Sequence, residues 1–331
     1  MRKHHRKELQ MSYELLVLDI DGTLTNSEKK VTERTLQAIR QIQQKGKKIA
    51  IASGRPTAGV TGIAKTIGLD QTGGYILSYN GGRIADFKTG EVIYSKTIPM
   101  ELIPEIYKSA IEYDTRIITY EGDQAISGNG VDKYIELETR INGIGIKETD
   151  KFVEYVTFPV NKCLMTGEPS HMEVVERNLA NRFEAELNIF RSEPFFVEIM
   201  PKNIDKAYSL GKLLDYLHLT KEQMICCGDG FNDLSMIEAA DVGVAMINAV
   251  DRIKNVAKFH TTKDHNHNGV VDFIKKKPAR IRTLIPTPAG SNITFYFFFL
   301  SGNSSYIASN NLTKYSLSST SSTKSIPFAP S

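Results

Sequence analysis

From Glu14 onward, short runs of consecutive apolar residues alternate with segments whose apolar residues recur every three to four positions. Leu15–Leu18 reads as a strand buried on both faces. Beyond it Leu36, Ile39 and Ile42 share one helical face, with Thr32 placed to cap the helix and Gly46 to end it. A second apolar run at 49–53 leads into helical periodicity through Val60, Ile63, Ala64 and Ile67, closing at Gly68, and YILSYNGG at 75–82 supplies a third strand and turn. Strand, helix, strand, helix, strand with short connections predicts an α/β fold with a parallel sheet and helices on both faces.

The rhythm then changes. GRIADFKTGEVIYSKTI at 82–98 predicts a hairpin around 88–90, and the chain as far as about residue 192 mixes short strands with amphipathic segments such as 171–183. After FFVEIMP at 195–201 the first rhythm resumes: a helix over 206–217, the strand MICC, a helix from Asp233, the strand VGVAM and a helix over 249–257. This predicts a doubly wound, Rossmann-like core over residues 11–83 plus 193–277. An inserted α/β domain over residues 84–192 interrupts it, long enough to own a core. Residues 1–10 read as a disordered basic extension and residues 278–331 as a disordered or loosely packed tail, rich in Ser, Thr, Asn and aromatics. The tail's ITFYFFFL run is far shorter than the roughly 20 residues a spanning helix needs, so no membrane partner is expected.

Charge changes the picture once it is located. The formal net charge is +3, but residues 1–10 contribute +3 and residues 278–331 contribute +4, which leaves −4 on the 11–277 body. A mildly acidic body argues against nucleic acid as a partner. The three cysteines, Cys163, Cys226 and Cys227, cannot all pair, and no apolar signal segment precedes Met11, so a cytoplasmic protein with reduced thiols is expected.

In a doubly wound sheet, ligands bind at the carboxyl ends of the strands, and the polar oddities of this chain fall there. Asp19 and Asp21 follow the first strand, Ser53, Gly54 and Arg55 the second, Asn80 the third, and GDGFND, with Asp229, Asn232 and Asp233, follows MICC; Lys206 opens the helix after FFVEIMP. Two unit charges 4 Å apart at an effective dielectric near 20 repel by about 4 kcal/mol, so four converging aspartates need cations. Lys206 supplies one charge. A hard divalent ion supplies the rest, and Mg²⁺ suits a site with few protein ligands because it keeps its own waters. Such a pocket is built to receive a phosphate. DHNHNG at 264–269 copies half of a calcium-binding loop, but Lys275 stands where the closing Glu belongs, and a polar turn is the better reading.

DIDGTLT, IASGRP, Lys206 and GDGFNDLSM, in that order, resemble the four motifs of the haloacid dehalogenase-like (HAD) superfamily, and specifically its Cof-type sugar phosphatase branch. The third motif reads DKAYSL where the branch more often has Lys-Gly. The resemblance covers about residues 11–277. It implies a phosphatase acting on small phosphorylated metabolites, with Asp19 as nucleophile forming an aspartyl-phosphate and Asp21 as general acid and base. Mg²⁺ would be held by Asp19, the Asp21 main-chain carbonyl and Asp229. Ser53, Gly54, Lys206, Asn232 and the Ile20 backbone would orient the phosphoryl oxygens, and Asp233 would position Lys206 or a metal-bound water. The insertion would be a cap, with Arg55 and Asn80 as candidate substrate contacts. A phosphotransferase or sugar phosphomutase on the same scaffold is the nearer rival, and a phospho-accepting signalling module the remote one.

Overall fold

The strands of the body are, in chain order, β1 (Leu15–Leu18), β2 (Lys48–Ala52), β3 (Tyr75–Ser78), β4 (Arg83–Asp86), β5 (Val92–Ser95), β6 (Arg116–Glu121), β7 (Gln124–Ser127), β8 (Gly145–Glu148), β9 (Cys163–Thr166), β10 (Leu187–Glu193), β11 (Phe196–Pro201), β12 (Met224–Gly228), β13 (Val242–Ala245) and β14 (Phe259–His260). They form an eight-stranded sheet in the order β14-β13-β12-β1-β2-β3-β4-β5 and a six-stranded sheet in the order β10-β11-β9-β6-β7-β8. This computed structural model describes residues 13–276, together with Phe295–Tyr296 and Ile307–Ala308. The basic extension lies outside the described residues. Residues 287–331 of the tail form a separate unit, of which two short strands are described, Phe295–Tyr296 paired antiparallel with Ile307–Ala308.

β1 is central because all its residues are apolar and it pairs in parallel on both sides, with β12 and β2. Strands covered on both faces read as unbroken apolar runs, as LLVL and MICC do. Helix Glu33–Gln44 begins where Thr32 accepts a hydrogen bond from the Thr35 amide, and it buries Ala38, Ile39 and Ile42 against this sheet's core. Each of the two isoleucines contributes roughly 1.5–3 kcal/mol on burial. Helix Lys206–Leu217 is capped by Asp205, which accepts from the Tyr208 amide. Among the described residues no helix is long and apolar enough to cross a membrane, and all three cysteines are free and buried.

Two segments join a different sheet from the one their position in the chain suggested. The hairpin β4–β5 extends the eight-stranded sheet: Asn80 takes the left-handed conformation (φ 51°), the chain reverses at once, and β4 pairs antiparallel with β3. β11, part of FFVEIMP, is a central strand of the six-stranded sheet, flanked by β10 and β9. Its apolar character comes from that flanking, not from a return to the first sheet. The chain therefore passes between the sheets just after β5 and just after β11. Each sheet has its own apolar clusters, that of the first around β1, β2 and β12, and those of the second around β6, β9 and β11.

Candidate active site

The parallel ladder of β1 ends where the Asp19 amide donates to the Cys227 carbonyl (3.1 Å), and the chain folds back sharply. The amides of Leu24 and Thr25 both donate to the Ile20 carbonyl, at 3.1 and 3.0 Å, and the Thr25 hydroxyl joins them at 2.9 Å. Gly22 occupies the left-handed region at φ 81°, and a Cβ there would lie 2.1 Å from Asp229 Oδ2. Glycine is thus required on both counts, since only its absent side chain lets the loops after β1 and β12 touch. The Thr23 hydroxyl closes the contact by donating to Asp229 Oδ1 at 2.7 Å.

Lys206 is the first residue of its helix and fully buried. A cation at a helix N-terminus opposes the helix dipole, so its position needs a compensating charge. Two carboxylates supply it: Lys206 Nζ donates to Asp19 Oδ1 at 2.8 Å and to Asp233 Oδ1 at 2.5 Å. The second oxygen of Asp233 accepts from the amides of Asp229 and Gly230, at 2.9 and 3.0 Å. Carboxylate oxygens of Asp19, Asp229 and Asp233 lie within 4.8 Å of one another, the one such acidic group among the described residues. Burial, then repulsion from Asp233, pushes the Asp19 pKa up to about 8 despite Lys206. Burial and Asp233 likewise push Asp229 up to about 6, against the hydrogen bond from Thr23. Burial alone would lower the Lys206 pKa, and its two carboxylate partners hold it raised instead.

One lysine thus faces more carboxylate charge than it can balance. Oxygen-only donors in excess of positive charge fit a hard divalent cation such as Mg²⁺. Asp233 has both oxygens engaged, so Asp19 and Asp229 are the side chains better placed to hold the ion. The Asp21 carboxylate stands outside this group. It is gripped by Arg55, whose Nε and Nη2 donate at 2.9 and 2.8 Å, and by Lys29 Nζ at 2.7 Å. Burial alone would raise its pKa, but the hydrogen bonds and charge of Arg55, then of Lys29, outweigh that and lower it.

Ser53 is buried, with its amide bonded to the Leu77 carbonyl (2.9 Å) and its Oγ accepting from the Arg55 amide (3.2 Å). Gly54 packs so close to Asn80 that a Cβ would lie 3.0 Å from its Oδ1, and that oxygen also accepts from Asn232 Nδ2 at 3.0 Å. Asp19, Asp21, Ser53, Gly54, Arg55, Asn80, Lys206 and Asn232 line one pocket of about 710 Å³, within the range typical of small-molecule sites. Ile20 is fully buried. Residues of and beside the six-stranded sheet add to the lining, among them Lys162 and Glu198. Neither they nor Lys29 and Thr23 stood out in sequence. A lone charge in each of the apolar stretches VNKCLMT and FFVEIMP was the available signal. The DHNHNG segment is a polar turn: Asp264 Oδ1 accepts from the His267 amide at 2.9 Å, and Asn266 Oδ1 from the Ser27 amide at 2.9 Å, which seats the turn on the loop carrying Lys29.

A family profile described as haloacid dehalogenase-like hydrolase matches residues 16–274. A Streptococcus pyogenes serotype M6 protein provisionally named a phosphatase is 30% identical over 269 residues, spanning 80% of this chain and 98% of the relative. A 5-amino-6-(5-phospho-D-ribitylamino)uracil phosphatase of Bacillus subtilis is 26% identical, spanning 79% and 96%. Among solved structures, a haloacid dehalogenase-like hydrolase from Bacteroides thetaiotaomicron superposes with a TM-score of 0.77 at 41% identity, covering 80% of this chain and 99% of that one. TM0651 from Thermotoga maritima superposes at 0.74 with 26% identity, covering 81% and 98%. With the profile running from β1 to the last described helix of the body, across every residue of the acidic pocket, this chain is an enzyme of the haloacid dehalogenase-like hydrolase family.

Proposed function

We propose that the enzyme is a Mg²⁺-dependent phosphatase that hydrolyses small phosphomonoesters through an aspartyl-phosphate on Asp19. The observation that carries this reading is the buried Lys206 bridging Asp19 and Asp233, with Asp229 alongside and with Lys206 and Asp19 lining the pocket. Relatives named as phosphatases, one of them for a phosphorylated ribityl compound, support it.

In this reading the incoming phosphoryl group is oriented by Lys206, by Ser53 and Gly54, by Asn232 and by the Ile20 backbone, while Asp233 fixes Lys206. Asp19 and Asp229, with the Asp21 carbonyl, would hold Mg²⁺, which when bound neutralises charge on the phosphoryl oxygens. An Asp19 oxygen attacks phosphorus and the ester oxygen departs, so one difficult hydrolysis becomes two easier steps. Asp21 protonates that oxygen and later takes a proton from the attacking water. The grip of Arg55 and Lys29 favours the anionic form, which suits the second step. The first step requires the grip to loosen, and a phosphate drawing Arg55 or Lys29 toward itself would loosen it. Positioning and electrostatics carry most of phosphoryl transfer.

The six-stranded sheet, from just after β5 to the end of β11, serves as the cap that excludes bulk water and contacts the leaving group. Free, buried cysteines suit a cytoplasmic enzyme. The test is phosphate release across a panel of metabolite phosphoesters with Mg²⁺ and with a chelator. Release that depends on Mg²⁺ and vanishes in Asp19→Asn is expected. Release that persists in Asp19→Asn would remove the nucleophile from the scheme.

A further inference from the structure

Lys162 and Glu198 form a second buried ion pair, lining the same pocket as Lys206 and Asp19. Their side chains are 3% and 8% exposed, yet every hydrogen bond and ion pair they make is long, the ammonium otherwise lying 5.4 Å from the centre of the Tyr120 ring. Lys162 Nζ lies 3.4 Å from Glu198 Oε1 and 3.4 Å from the Gly54 carbonyl, while Glu198 Oε2 lies 3.5 Å from Asn80 Nδ2. Hydrogen bonds to charged groups are normally about 2.7–2.9 Å, and a buried charge whose bonds are poorly made is costly. Both groups therefore have hydrogen-bonding capacity left over, and both face the cavity. Register puts them on one face of the sheet: Glu198 pairs with Leu164 across the β9–β11 ladder, and Lys162 is the diagonal neighbour two residues earlier.

We infer that Lys162 and Glu198 are the specificity-determining pair for the leaving group, reading the hydroxyls of a polyol or sugar phosphate. This rests on the phosphatase reading above and on the sugar-phosphate class that the resemblance already implies; what it adds is the pair of side chains that reads the hydroxyls. A donor and an acceptor 3.4 Å apart match a hydroxyl that accepts from the ammonium and donates to the carboxylate, or two adjacent hydroxyls that divide those roles. Phe190 and Phe196 line the same pocket and offer an apolar surface to the C–H face of a sugar ring. A leaving group without hydroxyls would shed the pair's remaining hydration and return nothing, and a site built to bond a hydroxyl rejects its deoxy analogue strongly.

The test is phosphate release by the full chain with Mg²⁺ from a hexose 6-phosphate, hexyl phosphate and p-nitrophenyl phosphate, for wild type and for Lys162→Met/Glu198→Gln. That double variant removes both charges and leaves neither one alone. Wild type is expected to favour the hexose phosphate over hexyl phosphate by about 30-fold or more in kcat/KM, in line with one charge-assisted hydroxyl contact. The variant should narrow that preference to about threefold, its loss falling mainly on the hexose phosphate. An undiminished preference in the variant, a uniform loss on all three esters, or no preference in wild type would each overturn the assignment. A uniform loss would make the pair a brace between the sheets. If near-ultraviolet circular dichroism shows the double variant unfolded, Glu198→Gln alone, which keeps the side-chain shape, carries the same expectation. Silence of wild type on all three esters and on the metabolite panel would instead defeat the phosphatase reading itself, and the pair's assignment with it.

Discussion

Lys206 and Lys162 are both buried lysines beside carboxylates on the same pocket, and they are held quite differently. Lys206 touches Asp19 and Asp233 at 2.8 and 2.5 Å, whereas Lys162 stands 3.4 Å from Glu198. For each, burial alone would lower the pKa and neighbouring carboxylates raise it instead. The difference lies in what the contacts leave over. The Lys206 cluster has an excess of negative charge and calls for a cation. The Lys162–Glu198 pair is loosely bonded, with Glu138 adding to the pull on the lysine, and calls for a ligand that can both donate and accept. In the proposed scheme, close packing of like charge marks the chemical end of the pocket, and slack between opposite charges marks the recognition end.

The comparison can be broken in order of expected effect. Asp19→Asn should lower phosphate release by about 10⁴-fold, the scale of losing a nucleophile, with a circular dichroism spectrum like wild type. Release within tenfold of wild type would dissolve the contrast between the two ends. Lys206→Met strands two buried carboxylates and should destabilise the protein by about 3–5 kcal/mol in urea titration. A cost no greater than that of Lys162→Met would show that contact distance does not rank the two sites. Saturating Mg²⁺ at a hundredfold over its Kd should stabilise the wild type by about 2.7 kcal/mol, read as a raised Tm. Asp229→Asn should erase that rise and Lys162→Met should keep it; the opposite pattern would move the ion to the wrong end of the pocket. Smallest is the coupling between Lys162 and Glu198 in a double-mutant cycle, about 1 kcal/mol or less for so long a contact. A value matching the Lys206–Asp233 cycle would mean the pair is tight in solution and has nothing spare for a ligand.

The chemical end was legible in sequence because carboxylates that end apolar runs stand out against them, and DIDGT and GDGFND each place such acids beside glycines. The parallel sheet was legible for a related reason, since runs such as LLVL and MICC have no polar face to offer water. The recognition end was not. A single charge in VNKCLMT or FFVEIMP resembles the outward residue of an alternating strand, and only the pairing of β9 with β11 puts both charges on one covered face. The same pairing explains the misplacement of FFVEIMP: an apolar run announces that a strand is buried, while the strands on either side decide in which sheet. The grip of Arg55 and Lys29 on Asp21 was equally hidden, because side-chain partners far apart in sequence leave no periodic trace.

The two passages between the sheets run side by side, Lys96 Nζ lying 3.4 Å from the Asn203 carbonyl. The chain between them leaves and rejoins the first sheet at these two passages, and the second sheet packs around apolar clusters largely its own while Lys162, Glu198 and Asn161 reach back to Gly54, Asn80 and Gly82. On the proposed reading, another segment of similar size spliced at these two passages would keep Asp19, Lys206, Asp229 and Asp233 while losing the contacts of Lys162 and Glu198 to Gly54 and Asn80. Lys206 lies three residues beyond Asn203, so a splice made there would have to leave the 203–205 turn untouched.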